Sequence, residues 1–404
     1  MKHSVSPVSP KSPISLVALM ILFLLIGGLC SAAAAAEETR MFTDDLGRTV
    51  ELPASVDKVI PSGHLALSVL IAYDPKYLAS CGGGLPANAD RYLPELAAQG
   101  LPKTGAIFYS SGTVNYEEVM NLAELGADVF IDVGQKIDGA GEALDEFTRI
   151  SGMPAVFISQ NSLEEIPDSY QKIGEILGET ERGCELYSYM KGWIDTFETG
   201  MQNASRPTAA FINVIDGNNF YLCGGYNKDK SLGYQTTALG TFADIIVAAQ
   251  TNKGLGDIYG MEELLRIFSE NEPQYVFIAG SPEHRYYREF LENPSFAGLS
   301  AVKNGHVYEI PKDCPYIWTA QPFSGWGICG MIWIAHILYP ETFNYNTKDM
   351  VQEFYQKILG YNLTDAEYDA LVNVSVPAST PAPVPGVIAG LGAAFTVFAA
   401  RVRR

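Results

Sequence analysis

The chain has 404 residues, with 27 lysines and arginines against 46 aspartates and glutamates, a formal net charge of −19 at pH 7. Phosphate contacts need Lys and Arg, so so acidic a balance excludes charge-driven nucleic-acid binding. The length exceeds what one core comfortably fills, and two α/β lobes are expected.

Lys2 and Lys11 precede an apolar run at 14–29, then small residues at 31–36, then Glu37 and Glu38. A basic region, an apolar region and an A-x-A-like site make residues 1–36 a secretory signal peptide and place the mature chain outside the cytoplasm. The run is shorter than the ~20 residues of a spanning helix, so cleavage near Ala36 ranks above a retained anchor. It also ranks above lipidation of Cys30, which Gly27-Gly28-Leu29 precede in place of a lipobox. Taking away the five basic residues of the two terminal segments leaves 22 basic against 46 acidic residues in the body, a net −24.

Residues 40–43 and 48–52 read as a β-hairpin turning at Asp45-Leu46-Gly47, with Pro53 ending it. A buried strand follows at 58–60, a helix at 64–72 and a short strand at 77–80. A Gly- and Pro-rich loop spans 81–87, and a polar stretch runs to Tyr109. Helix 116–125, strand 128–133, helix 141–152 and strand 155–158 alternate as parallel βαβ units do. Ser162-Leu163-Glu164-Glu165 reads as a capping box opening a helix that runs to about 178. The next helix, 180–200, repeats apolar residues every three or four positions: Leu186, Tyr187, Met190, Trp193, Ile194 and Phe197. At 1.5 Å per residue it reaches roughly 30 Å, enough to join two lobes.

The alternation then restarts. Strands are expected at 208–214, 220–223, 274–279 and 306–310, and helices at 233–249, 260–269, 286–292, 325–338 and 349–358. The fold class is therefore α/β, two Rossmann-like lobes with mainly parallel sheets joined by one long helix. The divisions are an N-terminal lobe at 40–163, a helical segment at 164–200 and a C-terminal lobe at 205–372. A Pro-, Ser- and Thr-rich linker, 375–386, leads to an apolar segment, 387–404, closed by Arg401, Arg403 and Arg404. This tail reads as a membrane anchor. It resembles the PGF-type sorting tails of archaeal surface proteins, which are exchanged for lipid, except that Val387 follows Pro385-Gly386.

Five cysteines remain in the body: Cys81, Cys184, Cys223, Cys314 and Cys329. The odd count and the absence of a C-x-x-C pair favour free thiols over a disulfide framework, although a Cys314–Cys329 bridge is one alternative. Asn203, Asn362 and Asn373 stand in N-x-S/T sequons, in keeping with export.

Several segments together resemble the iron-chelate and cobalamin class of binding proteins that serve ABC importers. They are DDLGRTVELPASVDKVI, NYEEVMNLAELGADVFI, GMEELLRIFSENEPQYVFI, FLENPSFAGLSAVKNGHVYEIP and IWIAHILYPETF. The resemblance covers nearly all of 40–372. It implies a monomeric receptor that binds cargo between two lobes and delivers it to a membrane permease and its ATPase. It also implies a surface glutamate on each lobe that docks with permease arginines. These map to Glu117 and Glu262, with Glu118 and Glu263 adjacent.

In parallel sheets the loops at strand C-termini line the crevice. Aromatic faces suit flat organic ligands, and Arg or Tyr donors suit anionic chelates. By type and place His64, Tyr109, Tyr226, Arg285, Tyr316 and Trp318 are the cleft candidates, each also able to serve as packing or loop surface. His64 suits either an axial ligand to haem or cobalt or a cap on the helix after it. His306 and His336 fall on core elements. With few histidines, a bare transition-metal site is disfavoured. The expected cargo is an iron complex, ferric siderophore or haem, with cobalamin or another chelate or oxyanion as alternatives; no prosthetic group is implied. No G-x-S-x-G, H-E-x-x-H or P-loop is present, so an enzyme is not indicated. A surface-anchored interaction protein without a transport role is the remaining class.

Overall fold

The computed structural model describes residues 38–108, 113–223, 237–246, 257–316, 318 and 325–372. The expected signal peptide, the expected linker and tail, Tyr109, Tyr226 and part of the expected helix at 233–249 lie outside the described residues.

The chain opens with the expected hairpin, β1 (Thr39–Thr43) and β2 (Thr49–Pro53), antiparallel with Thr43 opposite Thr49. Its turn docks on the body through two carboxylates. Asp44 accepts from the backbone N–H groups of Leu46, Arg48 and Phe157 and pairs with Arg48 at 2.7 Å. Asp45 accepts from Ser159 N–H and pairs with Lys172 at 2.5 Å.

Strand β3 (Val59–Pro61) leads to α1 (Gly63–Leu70). The stretch expected to be irregular carries two short helices, α2 (Ala89–Tyr92) and α3 (Pro94–Ala98). Helix α4 (Tyr116–Glu124), strand β4 (Val129–Gly134), helix α5 (Ala140–Ser151) and strand β5 (Ala155–Ser159) follow. The sheet is parallel in the order β3-β4-β5. All six residues of β4 are buried, because helices cover both of its faces. Val129, Ile131 and Val133 enter one apolar cluster, and Phe130 enters another with Phe147 and Phe157. Each such phenylalanine contributes roughly 1.5–3 kcal/mol of burial.

Helix α6 (Glu165–Leu177) begins later than the capping box implies. Glu165 does reach back, but to the N–H of Asn161 at 2.7 Å and the Ser159 hydroxyl at 2.6 Å, and Ser162 lies in the preceding turn. Helix α7 (Thr180–Met201) is the long helix, 22 residues. It crosses α6 at a pair of glycines: a Cβ on Gly174 would lie 2.8 Å from the Gly183 Cα. Near its start, Arg182 bonds the carbonyl of Ala72 at 3.0 Å. Near its end, Phe197 meets Phe242 edge-on at 5.3 Å. Leu186, Met190, Ile194 and Phe197 thus join a core that also holds Val156 and Phe211, from strands on either side of it in the chain.

The second sheet has six strands and is mixed, with three parallel and two antiparallel pairings, so the two sheets together are mainly parallel as expected. It comprises β6 (Thr208–Asp216), β7 (Asn219–Cys223), β8 (Asp244–Ile245), β9 (Asp257–Gly260), β10 (Tyr275–Ile278) and β11 (Val307–Glu309). Its order is β11-β10-β6-β7-β9, with β8 beside the start of β6. Strands β10 and β11 pair parallel next to β6, whereas β7 returns antiparallel across the tight Gly217 turn and β9 pairs antiparallel with it. Of the helix expected at 233–249, the described residues form only α8 (Thr237–Gly240) before β8. The remaining helices are α9 (Met261–Glu270), α10 (Arg285–Glu292), α11 (Ser300–Lys303), α12 (Gly325–Leu338), α13 (Thr347–Leu359) and α14 (Asp365–Val372). Helix α12 is apolar all round and buried, as a helix inside a core must be.

Candidate functional site

Strand β3 exits at Ser62, the cap position of α1, so His64 lies within the helix rather than at its cap. His64 is exposed. It faces the glycine loop: a Cβ on Gly83 would sit 3.0 Å from its Nε2, and one on Gly84 would sit 3.2 Å from Lys103 Nζ. Bare backbone thus lies between an imidazole and an ammonium. Gly82 anchors this loop with φ +54°, and a Cβ there would lie 2.6 Å from the carbonyl oxygen of Gly63. A side chain is excluded both by backbone conformation and by space. At the exit of β4, Lys136 donates its backbone N–H to Asn161 Oδ1 at 2.9 Å, which ties it to the exit of β5.

Beneath this edge lies Asp132 on β4, 1% exposed. Its Oδ2 has no partner, and burial pushes the carboxyl up to about 7 against a smaller opposing effect of the Ser62 hydroxyl.

On the second sheet, β10 exits into Ser281–Arg285. Arg285 is exposed, its guanidinium 4.7 Å over the Tyr286 ring. Ser281 N–H and His284 Nδ1 both meet the carboxylate of Glu309, at the end of β11. The chain beyond β11 then reaches α2, where Tyr92 donates its hydroxyl to the Asp313 carbonyl at 2.8 Å. The segment that leaves β11 is thereby tied to α2, which follows β3 and α1 in the chain.

Tyr316 and Trp318 follow in this segment, and both are in the core rather than presenting faces to a ligand. Tyr316 is 6% exposed with its ring 5.8 Å from Trp326; Trp318 is fully buried, 6.2 Å from Trp333. The aromatic character that drew attention to them serves packing. His306 stacks on Tyr275 at 4.5 Å, and His336 holds the Phe343 carbonyl at 2.8 Å. Cys81, Cys184, Cys314 and Cys329 are free, and the candidate Cys314–Cys329 bridge is not formed.

Glu117 and Glu262 occupy the first turns of α4 and α9, where the helix dipole favours carboxylates. Both are exposed, and neither has an ion pair among the described residues, whereas Glu263 pairs with Arg266 at 2.8 Å. Lys103, Lys136, Asp132, His284 and Glu309 escaped the reading of the sequence. The signals available were the place of Lys103 in the polar stretch that follows the glycine loop and the place of His284 in a strand-exit loop. Among the described residues there is no cluster of three or more His, Cys, Asp or Glu able to hold a metal ion, and no helix long and apolar enough to cross a membrane.

Residues 128–314 match the periplasmic binding protein family. The molybdate-binding protein MolA of Haemophilus influenzae is 22% identical over 83% of this chain and 95% of its own length. Its molybdate-bound structure superposes with a TM-score of 0.56 at 18% identity, covering 80% and 99% of the two chains. An ABC transporter solute binding protein from Sulfurospirillum deleyianum gives a TM-score of 0.70 at 20% identity, covering 83% and 99%. Helicobacter pylori CeuE, in a Ni-His complex, gives 0.52 at 15% identity, covering 83% and 99%. By its match to the family model over residues 128–314 and by its fold, the chain is similar to the periplasmic binding proteins of ABC transporters.

Proposed function

We propose that this binding protein captures an anionic iron complex between the strand exits of its two sheets and hands it to an ABC permease. The observation that carries the reading is the placement of unpaired cations. In a chain of net charge −19, most described Lys and Arg side chains pair with carboxylates. Lys103, Lys136 and Arg285 form no ion pair among the described residues: Lys136 follows the end of β4, Arg285 opens α10 where the β10 exit ends, and Lys103 faces the glycine loop beside His64, whereas Arg40, Lys58, Arg288 and Lys303, which also form none, lie elsewhere. Isolated cations on an acidic protein attract and orient an anionic ligand. The burial of Tyr316 and Trp318 removes two aromatic faces that a flat macrocycle would use, which favours a compact ferric chelate over haem or cobalamin. A molybdate-type oxyanion is the second reading, favoured by the similarity to MolA along 95% of that protein. In this reading the lobes are 40–163 and 205–372, Glu117 and Glu262 meet permease arginines, and the terminal segments export and anchor the monomeric chain. Charge reversal tests it: Lys103→Glu with Arg285→Glu lowers affinity for ferric citrate by about tenfold or more, as the loss of ~1.4 kcal/mol requires. Unchanged affinity in a folded double variant contradicts it.

A further inference from the structure

The loop that leaves β10 is built more carefully than a surface turn requires. Glu283 and His284 are consecutive non-glycine residues with φ of +52° and +56°. Such left-handed residues cost on the order of 1–3 kcal/mol each and persist only where surrounding contacts impose them. Here the contacts converge on Glu309. Its side chain is 2% exposed, one carboxylate oxygen accepts from Ser281 N–H at 3.2 Å, and the other meets His284 Nδ1. Ser281 Oγ in turn accepts from Tyr286 N–H at 2.9 Å, which closes the loop onto the start of α10.

This arrangement fixes the imidazole. With Nδ1 bonded to the carboxylate, Nε2 is the free ring nitrogen, on a side chain still 39% exposed. A buried carboxylate on one nitrogen of a histidine, with the other nitrogen at the surface, is the arrangement that orients imidazole toward a metal and raises its donor strength. Among the described residues no group of three or more His, Cys, Asp or Glu stands with it, which suits a metal that already carries a chelator. Iron, nickel and other first-row ions accept imidazole readily.

We infer that His284, positioned by Glu309, is an inner-sphere ligand for the metal of the captured complex, and that the preferred cargo is a chelate with an exchangeable coordination position. This rests on the receptor reading above and narrows it: a complex whose chelator fills every position gains nothing from His284. Glu309 is a positioning residue, acting only through the ring.

The test is calorimetry and visible absorption on the wild-type protein and two variants with three probes. Ferric citrate and the 1:1 nickel(II)–histidine complex retain exchangeable positions; ferric desferrioxamine does not. The wild type is expected to bind at least one open complex with a change in its metal absorption band. His284→Ala is expected to weaken that binding by roughly 10–100-fold and abolish the band change, and Glu309→Gln to weaken it less, in line with losses at such outer carboxylates. Circular dichroism establishes that both variants are folded. Equal affinity and an unchanged band in folded His284→Ala overturns the inference alone, as does wild-type preference for ferric desferrioxamine over both open complexes. Binding of none of the three by the wild type overturns the iron-complex reading and the inference with it.

Discussion

The hydroxyl of Tyr92 donates to the backbone carbonyl of Asp313 at 2.8 Å, joining the short helix α2 to the segment that leaves the last strand of the second sheet. Tyr92 is 1% exposed and packs edge-on against Tyr361 at 5.0 Å. The bond is part-buried and Asp313 is exposed, so water can replace the lost donor and Tyr92→Phe is expected to cost about 0.5–1.5 kcal/mol. A urea midpoint equal to that of the wild type would show that the bond contributes nothing to the join.

Gly82 sets the loop that His64 and Lys103 flank. Gly82→Ala places a methyl group 2.6 Å from the Gly63 carbonyl oxygen at a φ of +54°. The expected loss is at least ~1–3 kcal/mol of stability, together with weaker ligand binding, because the loop must shift away from α1. Wild-type stability in this variant would contradict the tight docking of the loop.

Asp132 predicts a pH dependence. Its carboxyl is raised by burial from the ordinary 3.8 to about 7. Between those values the folded chain keeps a proton that the unfolded chain has released, so stability falls as pH rises through the window and the loss is complete above it. Asp132→Asn cannot ionise and is expected to flatten this fall, gaining on the order of a few kcal/mol at pH 8 relative to pH 4. Urea denaturation at the two pH values checks it; parallel profiles for the two proteins would contradict the assignment.

Glu117 and Glu262 have no ion pair among the described residues, are exposed and lie at helix starts, as docking carboxylates need to be. Reversing both to Arg is expected to abolish uptake through the permease while ligand affinity stays within about twofold, since surface changes away from a site rarely exceed ~0.5 kcal/mol. Unchanged uptake would remove them from the docking role.

Much of the fold is legible in the sequence because periodicity and breakers coincide there. Helix α12 spans the expected 325–338, and α7 differs from expectation by one residue at its end. The opening hairpin is set by Asp44-Asp45-Leu46-Gly47-Arg48, whose two carboxylates both find partners far along the chain. The second sheet was harder. A short strand such as Asn219–Cys223 carries no mark of whether it pairs parallel or antiparallel; its direction follows from the tight turn at Gly217. The candidate site was least legible. Tyr316 and Trp318 looked like ligand platforms because aromatic residues serve both cores and clefts, and only burial distinguishes the two. Glu309 meets His284 across 25 residues of chain and adjacent strand exits, a pairing that no local pattern encodes.

The central claim is capture of a small anionic metal complex, and titration of the exported body with ferric citrate, a set of ferric siderophores, molybdate, haemin and cobalamin, followed by tryptophan fluorescence, tests it most directly. Trp318, Trp326 and Trp333 lie in the core that the second-sheet exit segment enters, so a ligand held at the strand exits has nearby reporters. The account predicts saturable quenching by an anionic ferric complex, weakened as salt screens Lys103, Lys136 and Arg285. Quenching by cobalamin alone, or no response to any compound with calorimetry equally silent, would contradict it.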